Sequence, residues 1–166
     1  MANAQYLGNP NLKKANTAVE FTKQNITEYK KCMDNPLYFV ENYMKIVSLD
    51  EGLVPFRMYN FQKDMIGTFH KNRFTICKLP RQSGKSTIMI AYLLHYALFN
   101  PNVNIAILAN KAATARDILG RLQLAYENLP TWLQQGILSW NKGSLEIEYG
   151  SKILAASTSA SAIRGG

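Results

Sequence analysis

The sequence predicts an α/β fold built on a parallel sheet, and three stretches carry that prediction. Phe74 to Leu79 is a short apolar, β-branched run that reads as a buried strand. Pro80 to Gly84 is a turn-rich loop, and Lys85 to Phe99 is a long apolar segment at helical spacing. Val103 to Ala109, beyond the turn Asn100-Pro101-Asn102, is a second apolar run. Strand, helix, strand in that order makes the runs at 74–79 and 103–109 parallel neighbours with a right-handed crossover, and places a ligand at the carboxyl ends of the strands.

The loop between the first strand and the helix reads Leu79-Pro-Arg-Gln-Ser-Gly-Lys-Ser. Gly-Lys-Ser between a strand and a helix is the layout of a phosphate-binding P-loop. Backbone N–H groups of such a loop cradle phosphate oxygens, and the helix N-terminus adds partial positive charge. Gly84 permits a backbone shape that a side chain would obstruct. Lys85 can reach the β- and γ-phosphates, and Ser86 can place its hydroxyl on Mg²⁺. Thr87 caps or packs the first helical turn. The candidate nucleotide-binding residues here are Pro80, Arg81, Gln82, Ser83, Gly84, Lys85, Ser86 and Thr87, with Ser86 also the metal candidate. One departure stands out, because Leu79 occupies the position of the first glycine in the usual G-x-x-x-x-G-K-[ST] pattern.

The other elements follow in chain order. Residues 1–15 are expected to be disordered or extended, and 16–33 to form a polar helix with a thin stripe of Val19, Ile26 and Tyr29. Asn35-Pro36 marks a boundary, with Pro36 suited to a first helical turn. Leu37 to Val47 predicts an amphipathic helix with Phe39, Val40, Tyr43 and Met44 inward, broken by Asp50-Glu51-Gly52. Ile46 to Glu51 has the outline of a Mg²⁺-binding strand end. It precedes the loop and follows a helical pattern, so a helix end and loop is the plainer reading. Val54 to Asn60 reads as a linker. Tyr59 to Asn72 predicts a helix with Phe61, Met65, Ile66 and Phe69 inward, and Gln62 beside that row. The Gln62 amide can donate to and accept from an adenine edge, or it is a surface glutamine. Arg57 or Tyr59 could stack on the base. Lys111 to Asn128 predicts a helix with Ile118, Leu122, Ala125 and Leu129 inward, and with Lys111, Arg116 and Arg121 facing solvent. Leu133 to Trp140 reads as a short turn or helix. Ser144 to Tyr149 and Lys152 to Ala156 alternate around Gly150-Ser151 as a hairpin. Glu146 and Glu148 share a face of it, which reads as the exposed face rather than as paired catalytic carboxylates. Ser157 to Gly166 is small and polar, hence a loop.

The chain has 166 residues, a length suited to one domain, and a formal net charge of +8, which favours a polyanionic partner. Lys13, Lys14, Lys23, Lys30 and Lys31 can equally be a solvated face. No run of eighteen apolar residues argues for a membrane span, and Met1 to Asn11 is too polar for a signal peptide. The two cysteines, Cys32 and Cys77, fit no metal spacing. They read as reduced, cytosolic thiols, with Cys77 in the core strand. His70 and His95 read as structural or surface histidines.

The loop with leucine in place of its first glycine resembles the variant Walker A of the terminase large subunits of tailed phages, the motors that pump DNA into a capsid. Asn60 to Met65 is similar to the glutamine motif of the T-even-like branch, and Ile105 to Lys111 to its second strand and turn. Leu129-Pro130, Gly136-Ile137, Trp140 to Ser144 and Ala162 to Gly165 continue the likeness in line from about Phe56 onward. It is weak over 1–34, which reads as a polar extension before a domain at 35–166. That domain divides into a helical lead-in (35–72) and an αβ core (73–166).

The resemblance implies a RecA-like P-loop NTPase core that binds ATP and Mg²⁺. In the whole protein it implies hydrolysis that drives viral DNA into the capsid, and a nuclease domain further on. It implies Lys85 and Arg81 as catalytic residues, Arg81 as an arginine finger acting in cis, with pairing to a carboxylate as the alternative for that side chain. It favours Gln62 as the adenine contact. Double-stranded DNA, a portal protein, a small terminase subunit and a ring on the capsid are the implied partners, in the host cytoplasm and transiently at the portal vertex. The family's Walker B aspartate and catalytic glutamate come just after the Arg164-Gly165 segment. The 166 residues are therefore expected to bind nucleotide weakly and to hydrolyse little, with an open apolar sheet edge that favours self-association. Two other readings stand beside this one: a superfamily-2 helicase-like translocase, and a non-hydrolysing DNA-binding or assembly module.

Overall fold

A computed structural model describes residues 4–159. The chain begins with a hairpin, β1 (Gln5–Tyr6) and β2 (Asn9–Lys13), joined by Leu7 and Gly8 at φ 47° and 78°. Two successive left-handed residues match the twist of a two-residue hairpin turn, so this stretch is paired rather than disordered. Helix α1 (Lys23–Asp34) starts later than expected, at a Thr22 cap whose hydroxyl accepts from the Asn25 N–H. Helix α2 (Pro36–Tyr43) starts at the expected boundary: the Asn35 side chain accepts from the Leu37 N–H at 3.0 Å, and Pro36 fills the first turn.

The helix expected over 37–47 stops at Tyr43. Its last apolar residues instead form β3 (Lys45–Ser48), paired antiparallel with β4 (Gly52–Pro55) across a tight turn closed by Gly52 at φ 74°. The pair Ile46-Val47 is β-branched, and Leu53-Val54 opposite offers it a ladder. Asp50-Glu51 therefore lies at the tip of a hairpin, not at a helix end. Helix α3 (Asn60–Lys71) follows.

The expected strand at 74–79 is not a strand. No ladder forms along it, and Phe74 and Ile76 are 82% and 97% exposed. Its residues alternate, with Thr75, Cys77 and Leu79 half-buried and the others exposed, so the run is not the buried strand that its composition predicts. What it lacks is a hydrogen-bonding neighbour among the described residues, and a strand exists only as part of a ladder. Cys77 is accordingly half-buried rather than in the core.

Beyond the loop come α4 (Lys85–Phe99), β5 (Asn104–Ala109), α5 (Ala112–Glu127), β6 (Ile137–Trp140), β7 (Ser144–Ile147) and β8 (Lys152–Ser157). Residues 133–140, expected as a turn or helix, supply β6. The main sheet runs β5-β8-β7-β6. Only β5 and β8 are parallel; β7 is antiparallel to both β8 and β6. The parallel partner of 104–109 is thus 152–157 and not 74–79. The chain is α/β with mixed sheets. The family-like segment Ala162 to Gly165 lies outside the described residues.

Helix α4 is apolar on nearly all sides and sits at the centre, touching α2, α3 and α5. Helix α5 packs its Ala115, Leu119, Leu122 and Tyr126 face on β5 and β8. Buried polar groups tie these layers together. His95, in α4, meets the Cys32 carbonyl oxygen at 2.8 Å through Nε2, and Gln135 Nε2 donates to Leu98 O at 2.8 Å. Glu28 accepts from the hydroxyls of both Tyr38 and Tyr43, which holds its carboxyl below the ordinary range and pins α1 to α2. Glu148 is no catalytic partner of Glu146. Its carboxylate accepts from the N–H groups of Asn16 and Gly136 and clasps the N-terminal segment to the outer side of β6. A Cβ on Gly136 would fall on the Ala15 backbone, so that approach needs glycine.

Candidate nucleotide site

The loop that enters α4 has a bent backbone. Gln82 and Gly84 both have positive φ, 60° and 75°. Alternating left- and right-handed residues turn successive amides toward one side and make an anion-binding concavity. Gly84 is the N-cap of α4 and offers no side chain, so the first N–H groups of the helix have no side-chain cap. The first helical bond runs from the Ile88 N–H to Gly84 O at 3.0 Å. Helix starts left this way are completed by water or by a ligand.

Two side chains at this turn are informative. Lys85 folds back over its own loop, and its ammonium donates to Leu79 O at 3.2 Å. A cation is thereby held against the concave side with a single neutral partner. Ser83 Oγ is buried and has no hydrogen-bond partner. A buried hydroxyl without a partner costs free energy, and such orphans mark sites completed by something else. An anion at the loop would supply that partner, so the residues present fit a phosphate group.

Two cavities flank the loop and share Gln82, Ser83 and Gly84. One, about 510 Å³, is bounded by Tyr59, Phe61 and Gln62 at the start of α3 and by Leu79-Pro80. Its wall is an apolar shelf: the rings of Tyr59 and Phe61 stack at 6.0 Å with 8° between their planes. The other, about 360 Å³, is bounded by residues 82–87 and by Arg121 from α5. It holds two cationic side chains, Lys85 and Arg121, and no carboxylate in its lining.

The structure brings together most of the residues singled out by sequence. Pro80, Gln82, Ser83 and Gly84 line the first cavity, and Lys85, Ser86 and Thr87 line the second. Gln62 is 3% exposed, so it is no surface glutamine. Its Oε1 accepts from the Tyr59 N–H at 2.9 Å and its Nε2 donates to Ser83 O at 3.5 Å, so the amide bridges α3 to the loop. Arg57 is exposed and lies outside the lining of either cavity, whereas Tyr59 is in it. Arg81 is also exposed and outside both linings, and it takes part in none of the ion pairs among the described residues. Phe61, expected to face inward, belongs to the exposed shelf. Arg121 is exposed, as expected for a solvent-facing helix residue, and it also borders the second cavity. Nothing in the sequence links it to residues 82–87, because the link is made by the packing of α5 on α4. Among the described residues no cluster of three metal-ligating side chains occurs, and no helix is long and apolar enough to cross a membrane.

A family model for the N-terminal part of the T4likevirus-type terminase large subunit matches residues 76–166, more than half of the chain. That span runs from the end of the apolar run before the loop, through α4, β5 and α5, to β8 and beyond.

Proposed function

Because the chain belongs to the T4likevirus-type terminase large subunit family, we propose that the loop at Pro80 to Thr87 is a P-loop that binds ATP with Mg²⁺. In the whole protein that binding would serve hydrolysis coupled to movement of double-stranded viral DNA. The observation that carries the reading is the uncapped, left-handed start of α4 beside the orphaned Ser83 hydroxyl. In this reading the uncapped amides of α4 and the Ser83 hydroxyl hold phosphate oxygens. Lys85 exchanges the Leu79 carbonyl for the phosphate tail, and Ser86 offers its hydroxyl to the metal. Mg²⁺ would neutralise charge on the phosphate oxygens. In this reading the Tyr59–Phe61 shelf takes the base, and Gln62, which lines the same cavity, gives its second amide hydrogen to a base edge while its oxygen stays on Tyr59. The net charge of +8 suits a DNA partner.

The test is titration of the 166-residue chain with a fluorescent ATP analogue and Mg²⁺. Lys85→Ala removes one charge-assisted contact and should weaken binding roughly ten- to hundredfold. Equal affinity in Lys85→Ala and wild type, or a response to DNA alone, would make the loop a structural turn and the chain a DNA-binding module.

A further inference from the structure

We propose that the β3–β4 hairpin is a self-docking surface: a second copy of this chain puts its hairpin tip into the cavity at the base of the first. Ser48 pairs with Gly52, so the turn between the strands is Leu49-Asp50-Glu51. It sets one apolar side chain beside two carboxylates. Leu49 is 103% exposed, and Val47 and Leu53 on the same hairpin are exposed as well. Asp50 and Glu51 enter none of the ion pairs among the described residues, in a chain of net charge +8. An acidic tip repels nucleic acid and attracts a basic protein surface.

The base of the same hairpin carries the complement. A cavity of about 320 Å³ lies between residues 44–47, Ile90 of α4 and Leu124 of α5. Its charged lining residues are Lys45 and Arg121, and its lining is otherwise apolar except for Thr87. Lys45 enters none of the ion pairs among the described residues. Arg121 meets Asp117 at 3.1 Å in an exposed pair of the weak kind, which another carboxylate can share. Leu49 of a second copy entering this cavity brings that copy's Asp50 and Glu51 to Lys45 and Arg121. Apolar burial then supplies affinity, and the opposite charges fix the register.

The symmetry follows from the spacing. Tip and cavity lie on one hairpin, about 10 Å apart along the strand from Lys45 to Ser48. Head-to-tail assembly needs its two contact surfaces on different faces of the molecule. Two complementary patches side by side instead make both contacts at once across a twofold axis. None of this depends on the nucleotide reading.

Sedimentation equilibrium over a concentration series tests the proposal on the 166-residue chain. Every protein carries Ile76→Lys, so that the exposed apolar run before the loop does not contribute. This parent should show a monomer–dimer equilibrium. Leu49→Ser should weaken the dimer at least about tenfold, and so should the pair Asp50→Lys and Glu51→Lys. Lys45→Glu should weaken it as well. Mixing the Asp50→Lys, Glu51→Lys protein with the Lys45→Glu protein should restore a mixed dimer, because each tip then meets an opposite charge at residue 45. Lys142→Glu, an exposed reversal outside the cavity, should leave the dimer unchanged. Far-UV circular dichroism of all variants should match the parent. A parent that stays monomeric, tip variants that dimerise like the parent, or a mixture that fails to pair would each overturn the proposal.

Discussion

The coupling between Gln62 and Gly84 can be measured directly. Gly84 has φ 75°, and a Cβ there would sit 2.6 Å from Gln62 Nε2. Gly84→Ala therefore has two costs. A non-glycine residue in the left-handed region costs about 1–2 kcal/mol. The Gln62 amide must also move, which endangers its bond from the Tyr59 N–H, worth about 1 kcal/mol. The sum is about 2–3 kcal/mol, or roughly 4–12 °C in Tm for a chain of this size. Removing Gln62 first removes the second cost but not the first. Urea denaturation of wild type, Gly84→Ala, Gln62→Ala and the double variant, followed by circular dichroism, closes the cycle. Gly84→Ala should cost about 1 kcal/mol less in the Gln62→Ala background. If it costs the same in both backgrounds, the amide does not brace the loop and the reasoning fails.

Three further outcomes are expected. His95 is 3% exposed, and burial lowers its pKa from 6.5 to about 4, opposed by its bond to the Cys32 carbonyl. The unfolded chain binds this proton first, so stability is flat above pH 6.5 and falls as pH drops toward 4, by about 3 kcal/mol in all. His95→Gln should remove that loss, as read from denaturation midpoints between pH 7 and 4. Ser83→Ala should raise the melting midpoint of the free chain, since an unpartnered buried hydroxyl is lost, yet reduce the rise produced by ATP and Mg²⁺. Ile76→Lys, at a position 97% exposed, should leave the midpoint within about 0.5 kcal/mol and lower self-association in light scattering; unchanged scattering would count against the apolar run as the sticky surface.

The sequence was most legible where local chemistry decides the structure. Asn35-Pro36 carries a helix start signal in its own side chains and Gly84-Lys85 in the backbone freedom of a glycine, and α4 and α5 are long enough for periodicity to speak. It was least legible where a partner decides. The Phe74–Leu79 run has the composition of a strand, but composition does not encode whether a neighbouring ladder is present. Ile46 and Val47 continue the helical pattern of Phe39 and Val40, and only pairing with Leu53 and Val54 converts them to a hairpin. At the candidate site, glycine and lysine at fixed spacing single out the loop residues. Gln62 is singled out as a type of residue in a place, but its brace on the loop depends on a helix 21 residues earlier meeting Ser83. The place of Arg121 in the lining of the second cavity had no signal in the sequence, since one arginine on an amphipathic helix looks like any other.

The N-terminal segment has a directional effect on the sheet. Lys14 bridges Ile137, Gln134 holds the backbone at Asn11 and Lys13, and Glu148 fastens Asn16, so the margin at β6 is sealed by the chain's own beginning. The margin at β5 has no such cover among the described residues. A strand added to this sheet, from its own polypeptide or another, therefore finds its open ladder at β5, on the side from which α5 departs.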